Sequence, residues 1–74
     1  MNVGQLIEAL KDYPQDLRVV IRGYEGGYND VDHFETMKIV IDFNEEWYYG
    51  KHDDASFIQN EEAKANAVDA LRIG

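Results

Sequence analysis

The chain has no cysteine, so neither a disulfide nor a thiolate–zinc site can hold the fold together, and the composition fits a reducing compartment. Proline occurs once, at Pro14, and serine once, at Ser56. Ser56 lies in no Gly-x-Ser-x-Gly elbow, so nucleophilic catalysis through Ser or Cys has no support. No stretch approaches the roughly 18 apolar residues of a membrane span. The opening Met1-Asn2-Val3-Gly4-Gln5 has neither the basic flank nor the long apolar run of a signal peptide. Bases are scarce: seven against fifteen acids, for a net charge of −8. A field of that sign repels phosphate backbones and anionic membranes, which disfavours direct binding of nucleic acid or lipid.

What is present points to a folded protein. With 45% apolar and 12% aromatic residues, the chain is too hydrophobic for a disordered acidic tail. At 74 residues it sits near the lower size at which a hydrophobic core can act alone. The expectation is one soluble, cytoplasmic domain over residues 1–74. Its acids are unevenly spread: between Glu25 and Glu62 there are eleven, against two bases, Lys38 and Lys51, a local −9. Such a segment suits a partner with a basic surface or a cation, or simply confers solubility.

Asn2 to Tyr13 is predicted as a helix, because Val3, Leu6, Ile7 and Leu10 share one face. Asn2 and Gln5 have the spacing of a capping box, and Pro14 ends the helix. Leu17–Arg22 is expected as a strand, with Leu17, Val19 and Ile21 toward the helix and Arg18, Val20 and Arg22 outward. Gly23–Asp32 follows as a ten-residue loop with glycine-permitted backbone. It matches neither the dinucleotide fingerprint nor a phosphate loop, and its Asn29, Asp30 and Asp32 lack the register of an EF-hand. Phe34–Phe43 alternates as a second strand, with Met37, Ile39, Ile41 and Phe43 on one face. Asn44–Glu46 is a turn and Trp47–Tyr49 a third strand, leaving Lys51–Gln59 as loop. The tail from Asn60 has the propensity of a helix, with Asn60 as its cap, and alternatively Ala67–Ile73 pairs as a short strand that completes the sheet. The fold class is therefore α+β: an N-terminal helix packed on a small antiparallel sheet of three to four strands, with a C-terminal segment that is helical or a short extra strand.

Two blocks stand out, Gly23-Tyr24-Glu25-Gly26-Gly27-Tyr28-Asn29-Asp30 and Trp47-Tyr48-Tyr49-Gly50-Lys51-His52. Together with Val3, Leu6, Ile7, Pro14, Asp16, Val19 and Val20, they resemble a group of small uncharacterised proteins of bacteria and their phages. The resemblance covers residues 1–54. It implies a phage or prophage setting and carries no assigned activity.

The same blocks supply the candidate site. Tyr24, Tyr28, Trp47 and Tyr48 stand in polar or glycine-rich contexts where a core would favour Leu or Val. Aromatic rings beside acids are common at protein-recognition surfaces, since Tyr and Trp offer a large rigid face with a polar tip. The protein-binding set is Tyr24, Glu25, Tyr28, Asp30, Asp32, Trp47, Tyr48, His52, Asp53 and Asp54. The plainer reading is that the rings cap a small sheet as part of its core. His33 and His52, the two histidines, each neighbour acids, so His33, His52, Asp30 and Asp53 are weak candidates for a metal site. No cofactor motif is present. The leading expectation is a non-enzymatic protein that binds a larger partner with a basic surface, for example an inhibitor of a nucleic-acid-handling defence complex such as a CRISPR effector. The alternatives are a nucleotide or small-molecule module, with Arg18 or Arg22 meeting phosphate, and a metal-dependent hydrolase. The sequence leaves the oligomeric state open.

Overall fold

A computed structural model describes residues 1–74, and the fold is α+β with an N-terminal helix and two small antiparallel sheets. In chain order the elements are α1 (Val3–Leu10), β1 (Val20–Arg22), β2 (Tyr28–Asp30), β3 (Phe34–Val40), β4 (Asp53–Asp54), a 3₁₀ turn (Ala55–Phe57), α2 (Glu61–Ala65) and β5 (Val68–Ile73). The chain divides into two compact units: residues 1–33 with Ile73–Gly74, and residues 34–72.

In the first unit, α1 begins at the capping box expected from Asn2 and Gln5. The Gln5 N–H donates to Asn2 Oδ1, and the Asn2 N–H donates back to Gln5 Oε1, both at 2.8 Å. Two of the four orphan N-terminal donors are thereby satisfied locally. The helix ends at Leu10, one turn short of Tyr13. Pro14 then excludes the helical conformation at the residue before it.

The strand expected over Leu17–Arg22 pairs only from Val20 onward. Its partner is β2, in the register Val20↔Asp30, Ile21↔Asn29 and Arg22↔Tyr28. The expected ten-residue loop is thus a hairpin connection of residues 23–27, closed by the Gly23 N–H donating to the Gly27 carbonyl at 2.9 Å. The glycines are consumed by this turn. Gly26 and Gly27 have φ of +144° and +65°, values that L side chains rarely adopt. A Cβ on Gly23 would meet the Gly26 carbonyl oxygen at 2.5 Å.

In the second unit, β3 is the central strand of the order β4-β3-β5. Its register with β4 is Ile39↔Asp54 and Val40↔Asp53. On the β5 side, Glu35 pairs with Arg72 at 3.0 Å and Lys38 with Asp69 at 3.0 Å. The two pairs lie three positions apart on each strand and so occupy opposite faces. Both are exposed, and cross-strand pairs of this kind contribute about 0.2–1 kcal/mol each.

The core is Val40, Ala55 and Ile58, with Ala63 and Ala67 packed against it. The expected inward set of β3 therefore needs correction. Met37 and Ile39 are half-buried, but Ile41 and Phe43 are exposed and Val40, expected outward, is buried. The cause is that β3 stops at Val40. Beyond it the chain turns, with Asp42 at φ +52°, so the alternation of the strand no longer governs which way Ile41 and Phe43 point.

Of the two forms open to the tail, the structure has a short helix followed by the strand. Asn60 caps α2, its Oδ1 accepting from the N–H groups of Glu62 and Ala63, and residues 68–73 form a strand. No helix of the protein is long and apolar enough to cross a membrane.

Candidate interaction surface

The third strand expected over Trp47–Tyr49 does not form. These residues occupy a bend and turn between β3 and β4, stabilised by the Tyr49 N–H donating to the Glu46 carbonyl at 3.1 Å. Aromatic residues favour strands only where cross-strand neighbours pack on them. Here the partner of β3 is instead the acidic pair Asp53–Asp54.

The base of this loop is held by four hydrogen bonds. The Asn44 N–H donates to the Lys51 carbonyl at 3.0 Å. Asn44 Nδ2 donates to the Gly50 carbonyl at 2.8 Å and to Asp53 Oδ2 at 3.2 Å. The Asp42 N–H donates to His52 Nδ1 at 2.9 Å. Half-buried Asn44 thus joins both sides of the loop neck, and His52 secures the left-handed turn at Asp42.

At the tip the Tyr48 ring contacts the rings on either side of it. Trp47 and Tyr48 are 5.6 Å apart, edge to face at 87°, and Tyr48 and Tyr49 are 4.9 Å apart at 50°. Edge-to-face aromatic pairs gain about 0.5–1.5 kcal/mol beyond area burial, so the tip has a preferred arrangement. Nevertheless Trp47 is 91% exposed, and Tyr48 and Tyr49 are 61% exposed. None of the three belongs to the core. Glu45 and Glu46 precede them, and both are exposed.

The other aromatic block forms the hairpin of the first unit. Tyr24 projects from the turn with 98% of its surface open, and Tyr28, at the closing pair of the hairpin, is 71% exposed. Glu25 and Asp32 are exposed beside them. Asp30 is engaged: Arg18 Nε meets its Oδ1 at 2.9 Å and Arg18 Nη2 its Oδ2 at 3.2 Å, a two-point pairing. That pairing occupies one of the arginines considered for phosphate.

The remaining site residues have structural tasks. Asp53 accepts from the Asp54 N–H through Oδ1 and from Asn44 through Oδ2. Asp54 caps the 3₁₀ turn, its Oδ1 accepting from the Ser56 N–H at 2.9 Å and the Ser56 hydroxyl at 2.7 Å. These bonds, the hydroxyl first, hold the Asp54 carboxyl below its ordinary value against a smaller opposing effect of burial, and Arg72 acts in the same direction. Within neither unit do three or more His, Asp or Glu side chains gather in a metal-holding arrangement. Of the candidate ligands, His52 and Asp53 serve the loop neck and Asp30 the Arg18 pair.

Sequence reasoning missed Asn44 and Asp42, which decide the shape of the Trp47 loop. A signal was present in the Asn44-Glu45-Glu46 turn, because Asn and Asp bond nearby backbone and tolerate left-handed φ. Comparison with protein-family models, with curated proteins and with solved structures returns no match.

Proposed function

We propose that the protein is a small non-enzymatic interaction protein that docks an acidic, aromatic-rich surface onto a larger protein with a basic face. The observation that carries this reading is the Trp47–Tyr48–Tyr49 tip: rings joined through Tyr48, open to solvent, on a loop with a pinned neck. Pre-organised aromatic side chains lose little entropy on binding and are favoured as interface anchors. Within the first unit, Tyr24 and Tyr28 on the glycine hairpin are open rings of the same character. The eleven acids between Glu25 and Glu62 supply long-range attraction to a basic partner and set the encounter rate.

The resemblance to small bacterial and phage proteins extends the proposal. In that setting the partner is a nucleic-acid-handling defence complex, and the acidic surface occupies a basic channel that otherwise holds nucleic acid. The protein then acts in the cytoplasm, without cofactor or membrane contact. A nucleotide-binding module is a weaker reading, because Arg18 is already neutralised by Asp30.

The test is affinity capture from phage-infected or lysogenic cells with this protein as bait, eluted by a salt gradient. A basic protein released at moderate salt, and displaced by added single-stranded nucleic acid, supports the proposal. A captured partner that is indifferent to both salt and nucleic acid overturns it.

A further inference from the structure

The first unit carries an apolar face with no cover. Along α1, Val3, Ile7 and Leu10 fall on one side, and each is about half exposed. Ile7 and Leu10 border an open groove whose other walls include Tyr13, Leu17, Val19 and Val20, all between 46% and 60% exposed. From residue 1 to residue 33 no side chain is buried. With no cysteine in the chain, a unit this small has no disulfide to substitute for a core, and small domains in that position commonly rely on oligomerisation.

We infer that this face is the contact between two copies of the chain, a two-fold homodimer in which the α1–β1 face of one copy meets the same face of the other. Two observations select a second copy as the occupant. The first is area. Six side chains of Val, Ile, Leu and Tyr size, about half exposed, leave about 600 Å² of largely apolar surface per copy, so the pair covers about 1,200 Å² before its rim is counted, enough for a specific interface.

The second observation is charge. Residues 1–22 contain three acids, Glu8, Asp12 and Asp16, and three bases, Lys11, Arg18 and Arg22. The charged side chains that border the groove, Lys11 and Arg18, are each paired, with Glu8 and with Asp30, so the face is close to neutral, and the whole net charge of −8 lies beyond residue 22. Two copies of a strongly acidic chain can meet here without direct repulsion between like charges. A basic partner would gain nothing from this neutral face and is drawn to the acidic segment. An isologous contact of this kind closes on itself and leaves no free copy of the patch.

The test is sedimentation equilibrium of the full chain across concentration, with thermal melts at the same concentrations. The dimer has twice the 8.5 kDa chain mass and a melting midpoint that rises with concentration. The variant Leu17→Lys with Val19→Lys puts four charges into the contact and is expected to weaken association at least about 100-fold. A fold lost in that variant is covered by a second measurement that leaves the face apolar. Because the chain lacks cysteine, Leu17→Cys or Glu45→Cys introduces a single thiol. Under mild oxidation Leu17→Cys should form the disulfide-linked pair at least about tenfold faster than Glu45→Cys. A chain of 8.5 kDa with a concentration-independent melt overturns the inference. So does a dimer that the double lysine variant leaves intact, or cross-linking no faster at Leu17 than at Glu45.

Discussion

Asn44→Ala is the sharpest probe of the pinned loop. The substitution leaves the backbone bond from Asn44 N–H to Lys51 in place and removes both side-chain bonds, to the Gly50 carbonyl and to Asp53 Oδ2. A neutral hydrogen bond contributes about 0.5–1.5 kcal/mol and one to a charged group about 1.5–3 kcal/mol. Gly50 is exposed and Asp53 half-buried, so water recovers part of each bond, and the expected loss is about 2 kcal/mol. In a domain of this size that lowers the melting midpoint by about 8–16 °C. Trp47 is the single tryptophan, so its fluorescence reports on the loop directly. Faster acrylamide quenching and lower anisotropy should accompany the lower midpoint. A double-mutant cycle with Asp53→Ala should return a coupling of about 1 kcal/mol. An Asn44→Ala protein that melts within about 0.5 kcal/mol of the parent, with unchanged Trp47 anisotropy, refutes the idea that this side chain holds the neck.

Three further predictions concern the turns. Gly23→Ala should cost about 2 kcal/mol or more in urea denaturation, because its Cβ at 2.5 Å from the Gly26 carbonyl forces the hairpin backbone to move. Asp42, at φ +52°, should accept Gly within about 0.5 kcal/mol but lose about 1–2 kcal/mol as Asp42→Val, since a β-branched side chain tolerates left-handed backbone poorly. Asp54 titrates below its ordinary 3.8, so its stabilising contribution is present above that value and disappears as pH falls through the lower folded value. Ser56→Ala should move the Asp54 carboxyl ¹³C titration upward and shrink the acid-dependent loss of stability; an unmoved titration contradicts the capping argument.

Local signals carried through to the structure wherever one short stretch determined its own geometry. Asn2 and Gln5 satisfy each other within a single turn, and Asn60 caps α2 in the same local way. Ala67–Ile73 was open between helix and strand on local propensity, and pairing with β3 makes Val68–Ile73 a strand. Strand partners were less legible, because pairing is a choice among distant segments. The pattern of Leu17–Arg22 leads into a ten-residue loop over Gly23–Asp32, and the chain instead folds back within it so that residues 20–22 pair with residues 28–30. Asp53–Asp54 has poor strand propensity, and only its register against Ile39 and Val40 makes it one. The same limit applies to the site. The polar surroundings of the rings left open whether they cap the sheet or face solvent, and the structure has them exposed; the roles of Asn44, Asp42 and His52 depend on contacts across the loop neck. His52 looked like a metal ligand beside acids, and its Nδ1 accepts a backbone N–H.

The central claim is that the exposed rings bind and do not support the fold. Its most direct test is Trp47→Ala, compared with the parent in two assays on the same sample: thermal unfolding, and capture of the salt-sensitive partner from infected cells. Since Trp47 is 91% exposed and gives up only its edge contact with Tyr48, the melting midpoint should fall by no more than about 5 °C while binding weakens by about 30-fold or more, a loss of about 2 kcal/mol or greater. Unchanged capture by Trp47→Ala, or a collapse of the fold without a specific loss of binding, would contradict the account.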